Sequence, residues 1–155
     1  MEFPLETEQH RRLRDAIWAR LNGWRRFLVV LDGFDGAGKT TLGRYLAWQL
    51  GMPLVETDMF LIRGAGVLTY RQEDLQRLID SRLGNDRPAI MEGIRALHIV
   101  RTLGLKADYV IWVDQAERTP SQALQQSIAD YVSEYKPVQS ADFTFQWSLD
   151  ADAPS

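Results

Sequence analysis

The chain is predicted to be an α/β fold, a five-stranded and mostly parallel sheet with helices on both faces. Three observations carry this. The runs "FLVVLD" and "ADYVIWVD" are continuously apolar, as strands buried on both sheet faces are. The segments between strands repeat their apolar residues at helical spacing. A glycine-rich turn joins the first apolar run to a helical segment.

The elements follow in order. Residues 6–22 read as a helix, with Leu13, Ile17 and Leu21 four apart, closed by Gly23. Phe27 to Asp32 form the first strand. After the glycine loop, "TTLGRYLAWQL" is a helix ended by Gly51. "MPLVETD" is a short second strand ending at Asp58, and residues 59–69 are expected to be a mobile loop around Gly64 and Gly66. "RQEDLQRLIDSRL" is amphipathic, with Leu75, Leu78, Ile79 and Leu83 on one face. "RPAIMEG" is the third strand, and a short helix runs through Leu97 and Val100. "ADYVIWVD" is the fourth strand, ending at Asp114, which is read as a strand terminator. A polar helix reaches Tyr135, and "ADFTFQW" is a less buried fifth strand.

The 155 residues suit one domain, with the first helix inside residues 1–25 and a frayed tail at 148–155. Apolar and charged shares of 45% and 25% are those of a globular protein, and a formal charge of -3 argues against general nucleic-acid binding. The lack of cysteine excludes thiolate metal sites and disulfides, and His10 and His98 stand alone. No apolar run has membrane-span length and no leader pattern is visible, so a cytoplasmic protein is expected. Trp18, Trp48 and Trp112 are expected in the core, with Trp24 and Trp147 near element ends and able to pack together.

Gly33-Phe34-Asp35-Gly36-Ala37-Gly38-Lys39-Thr40 fits G-x-x-x-x-G-K-[ST] at every specified position. Chance coincidence of the four fixed residues is expected in about one chain of this length in two hundred. Glycines let backbone N–H groups face phosphate oxygens, and the following helix points its positive end at the same anion. The whole loop through Thr41 is therefore assigned to a nucleoside triphosphate. Lys39 reaches the outer phosphates and Thr40 is placed to ligate Mg2+.

Ligands of open parallel sheets bind beyond the carboxyl ends of the strands, where Asp58 and Glu92 fall. The succession "DGFDGAGKTTL", "TDMF", "PAIMEGI" and "ADYVIWVD", closing with "YKPVQSADFTF", resembles uridine kinase and related small-molecule P-loop kinases, including phosphoribulokinase and pantothenate kinase. The resemblance spans residues 27–147. It implies the P-loop NTPase fold, ATP with Mg2+, and transfer to a small-molecule hydroxyl, with a nucleoside as one option. It gives Asp58 the role of base, Phe60 that of its neighbouring aromatic, Glu92 that of holding the magnesium shell, and Arg118 that of lid arginine. Arg63, Tyr70 and Arg95 are expected near the acceptor, with Arg95 best placed to meet an anionic one.

The sequence departs from that pattern in "AERTPSQALQQSIADYVSEYK", which holds Arg118 alone where an arginine-rich lid run is expected. Two other classes therefore stay open: a nucleotide-binding regulatory or accessory protein with weak transfer, and a nucleotide hydrolase.

Overall fold

The structure is a computed structural model that describes residues 6–66, 68–115 and 122–147. The chain runs α1 (Glu8–Leu21), β1 (Phe27–Gly33), α2 (Lys39–Leu50), β2 (Leu54–Glu56), a 3-10 helix (Thr57–Phe60), α3 (Gln72–Leu83), β3 (Pro88–Glu92), α4 (Ala96–Thr102), β4 (Tyr109–Gln115), α5 (Gln125–Tyr135), α6 (Pro137–Ser140) and β5 (Phe143–Trp147). The five strands lie in the order β2-β3-β1-β4-β5, and every pairing is parallel.

Alternation along β1 divides the core between two faces. Phe27, Val29 and Leu31 pack with Leu13, Ile17 and Leu21 of α1 and with Leu42, Tyr45 and Leu46 of α2. Leu28 and Val30 pack with Leu75, Ile79 and Leu83 of α3 and with Ile99 and Val100 of α4. Every residue of β1 is buried, which is why its sequence is a run and not an alternation. The chain reaches β2 and β3 on one side of β1, then crosses to β4 and β5 on the other. The loop after β1 therefore lies at a topological switch, where such sheets bind ligands.

Several sequence expectations change. β2 stops at Glu56, so Asp58 belongs to the first turn of the 3-10 helix instead of the strand end. The segment expected to be a loop is a small hairpin. Leu61 bridges Tyr70 antiparallel, Ile62 N donates to Thr69 O at 2.8 Å, and Arg71 N donates to Phe60 O at 2.6 Å. So short a ladder leaves no periodic apolar signature.

Trp18 and Trp48 are exposed, at 58% and 63%, and Leu78 is also exposed, at 43%. Each lies off the buried stripe of its helix: Trp18 follows Ile17, and Trp48 sits between Leu46 and Leu50 on the outer side. Trp112 is buried as expected. Trp24 is exposed ahead of β1, while Trp147 closes β5 at the opposite end of the sheet, so the two do not pack together. His10 is fully buried: it completes the capping box of α1 with Thr7 and meets Tyr45, Phe145 and Trp147 edge-on. The Asp114 carboxylate accepts from Gln115 N at 2.8 Å, as a local cap at the end of β4. Among the described residues, no helix is long and apolar enough to cross a membrane. Residues 148–155 lie outside those described.

Candidate active site

The phosphate loop spans the end of β1 and the start of α2. Gly38 precedes α2 with φ of 90°, and its α-carbon faces the Trp147 indole so closely that a side chain would collide. Glycine is required there for both backbone and space. Lys39 is only 6% exposed, and its Nζ donates to Gly33 O at 3.0 Å and to Phe34 O at 2.6 Å. Burial lowers its pKa, while Glu92, Asp32, Asp58 and Asp35 oppose that by their charge. An ammonium so surrounded is held where negative charge converges. Phe34 packs edge-on against Trp112, with ring centroids 5.4 Å apart, which steadies the loop's near side.

The Thr40 hydroxyl donates to Glu92 Oε1 at 3.0 Å. Glu92 ends β3 and is 2% exposed, because β3 pairs with β1 and β2 on its two sides. Burial raises its pKa, opposed by the Thr40 hydrogen bond and the Lys39 charge. Gly93 follows it, and a side chain there would collide with the Thr57 hydroxyl. That close approach brings the 3-10 helix, and Asp58 with it, beside the end of β3.

Asp35, Gly36, Gly38, Lys39, Thr40, Thr41, Asp58, Glu92, Gly93 and Ile94 line one cleft of about 280 Å³. Six of the nine predicted loop residues thus share one surface with Asp58 and Glu92, while Gly33, Phe34 and Ala37 do not line it. A hydroxyl beside a single buried carboxylate matches the way Mg2+ is bound through few protein oxygens plus phosphates and waters. No cluster of three or more His, Asp or Glu suited to a metal occurs among the described residues.

A second cavity of about 250 Å³ lies between α3 and α4, lined in part by Thr69, Tyr70, Gln72, Arg95, His98 and Thr102. Arg95 caps α4 in a left-handed conformation, φ 56°, and its Nε is buried without a hydrogen-bond partner. The Tyr70 hydroxyl and Thr57 Oγ1 are likewise buried, and the two side chains interact with one another. Burial and the Asp58 charge push Tyr70 up to about 12. Since buried polar groups are normally satisfied, the unpaired Arg95 Nε, on a residue lining this cavity, stands out. His98 is half-buried with its Nδ1 2.9 Å from the Tyr135 hydroxyl, and burial with the Arg95 charge lowers its pKa.

Two expected acceptor residues sit elsewhere. Phe60 packs under the hairpin against the α3 and α4 core, with the Arg71 guanidinium 5.8 Å above its ring. Arg63 is exposed on the hairpin and lines neither cavity. Arg118 lies outside the described residues.

Sequence reasoning missed Asp32 and Tyr131. The Asp32 carboxylate is fully buried and accepts from Gly33 N at 2.9 Å, Ala96 N at 3.3 Å and the Tyr131 hydroxyl. The available signal was an acid closing an otherwise apolar buried strand, directly before the glycine loop.

These features define a P-loop α/β fold. Comparison with known proteins agrees. The Shikimate kinase family model matches residues 35–73, from the loop through the hairpin to the start of α3. A shikimate kinase of Thermobifida fusca is 56% identical over 41 residues, 26% of this chain and 24% of that one. That of Symbiobacterium thermophilum is 28% identical over 103 residues, 59% of each chain. The chain thus spans between a quarter and three-fifths of the length of these curated relatives. Among solved structures, a possible uridine kinase from Bacillus stearothermophilus superposes with a TM-score of 0.65 at 17% identity, covering 89% of this chain and 97% of that one. Shikimate kinase from Acinetobacter baumannii in complex with shikimate gives 0.52 at 20% identity, covering 90% of each. The fold is therefore shared with P-loop kinases of both kinds.

Proposed function

We propose that the chain is an ATP-dependent phosphotransferase acting on a hydroxyl of a small molecule. The observation that carries this is the common cleft of Lys39, Thr40, Asp58 and Glu92. The loop amides and Lys39 hold the triphosphate, Lys39 exchanging its two carbonyl partners for phosphate oxygens. Thr40 and Glu92 are the residues that would hold magnesium, which when bound supplies charge neutralisation at the phosphates. Asp58, exposed in the cleft, takes the proton of the acceptor hydroxyl. The acceptor oxygen forms a bond to the γ-phosphorus as the bond from that phosphorus to the bridging oxygen breaks, and ADP leaves. Positioning and charge stabilisation supply most of the rate.

The acceptor belongs in the cavity of Tyr70, Arg95 and His98, adjoining Asp58. Shikimate is favoured over a nucleoside: the sequence match to shikimate kinases covers the segment bearing Asp58 and Tyr70, and the unpartnered Arg95 Nε suits a carboxylate. The uridine kinase resemblance then reflects shared architecture.

A second reading, a nucleotide-binding accessory protein with weak transfer, is favoured by α5, which carries no arginine over Gln125–Tyr135. One experiment separates them. Transfer from MgATP to shikimate and to a nucleoside panel is assayed alongside nucleotide binding. Transfer to shikimate that is lost in Asp58→Asn supports the kinase; tight nucleotide binding with no transfer to any acceptor supports the accessory protein.

A further inference from the structure

Asp32 gathers three donors from three separate parts of the chain. Gly33 N opens the phosphate loop, Ala96 N begins α4, and the Tyr131 hydroxyl comes from α5. Tyr131 in turn accepts from Leu97 N at 3.1 Å. The first two amides of α4 are therefore satisfied from outside, while Arg95 at the cap position contributes no side-chain bond to them. Arg95 thus stands immediately ahead of two anchored amides, in a left-handed conformation uncommon for arginine. The chain links the ends of β1 and β3 through a single carboxylate.

We propose that Asp32 and Tyr131 are positioning residues that couple the phosphate loop to Arg95, so that nucleotide on the loop orders the acceptor cavity. This rests on the nucleotide-binding reading above. Nucleotide immobilises the loop, the loop fixes Gly33, and Asp32 transmits that restraint to Ala96, Leu97 and the arginine before them. Tyr131 is needed because it holds the second carboxylate oxygen and the second amide of α4. An apolar residue at position 32 would leave all three donors buried without a partner.

The test is hydrogen–deuterium exchange of the full chain, with and without magnesium and adenylyl imidodiphosphate, each protein at saturating nucleotide. In the wild type, exchange at Ala96 and Leu97 is expected to slow about tenfold on adding nucleotide, and in Tyr131→Phe by less than about twofold. A pair with structural weight only would speed exchange in α4 by the same factor with and without nucleotide, and that result overturns the proposal. Binding to the wild type with no change at Ala96 and Leu97 overturns it too, while leaving the phosphotransferase reading standing. Failure of the wild type to bind nucleotide sinks that reading and the coupling with it. If Tyr131→Phe does not fold, Asp32→Asn carries the same comparison: it keeps an oxygen for Gly33 and Ala96 but loses the acceptor for the tyrosine proton.

Discussion

Thr40, the second residue of α2, donates its hydroxyl to Glu92 at the end of β3 across 3.0 Å. The bond joins the phosphate loop to the neighbouring strand and presents two hard oxygens to the same cleft. Both are expected to act through magnesium. Glu92→Gln should weaken binding of MgATP about tenfold while leaving metal-free ATP binding within about twofold. Calorimetry with and without magnesium checks this, and an equal loss in both conditions would assign Glu92 to the fold instead.

Lys39 already bonds two loop carbonyls, so its removal acts on both loop and ligand. Lys39→Ala should lose at least about tenfold in nucleotide affinity, the weight of a charge-assisted hydrogen bond. Titration by calorimetry reads it directly. Undiminished affinity would place the triphosphate somewhere other than this loop.

Asp58 is exposed and lies beside, not under, the loop. Asp58→Asn keeps its shape and should lower transfer by about 10²- to 10⁴-fold, as loss of a general base does, with nucleotide binding unchanged. A coupled ADP-release assay with shikimate measures the first and calorimetry the second. Retained turnover would remove Asp58 from the role of base.

Burial pushes Asp32 up to about 6, against the hydrogen bonds from Tyr131, Gly33 and Ala96. Its folded pKa thus exceeds its unfolded value, and the native state holds the proton more tightly. The contribution of Asp32 to stability is full below about pH 4 and is lost as pH rises through about 6. Urea midpoints of wild type and Asp32→Asn should therefore diverge between pH 4 and 7, the wild type gaining about 2 to 3 kcal/mol on acidification relative to the variant. Parallel curves would show that folding leaves the proton affinity of Asp32 unchanged.

The framework was legible because its signals are local. β1 announces itself as an apolar run, and the fit to G-x-x-x-x-G-K-[ST] places the loop and Lys39 together. Glu92 shares one cleft with Lys39 and Thr40 because parallel strands put their carboxyl ends on one side of a sheet. Long-range pairings were not legible. Asp32 meets Tyr131 across 99 positions, and nothing in either neighbourhood names the other. The hairpin before Tyr70 rests on a few backbone bonds, which side-chain patterns do not record. Trp18 and Trp48 were misplaced by residue type: strict helical spacing from Leu13, Ile17 and Leu21, or from Leu42, Leu46 and Leu50, turns both outward.

Trp147 reaches Gly38 because β5 pairs with β4 in one register, Gln115 opposite Trp147. Phe145 and Trp147 point inward while Thr144 and Gln146 face solvent. A slip of one residue along that edge would exchange the two sets and withdraw the indole from the glycine. The outermost strand, with no residue assigned to the chemistry, thereby works as a gauge. It sets the clearance under the phosphate loop, so damage at the sheet's margin would register first as a change in grip on the nucleotide.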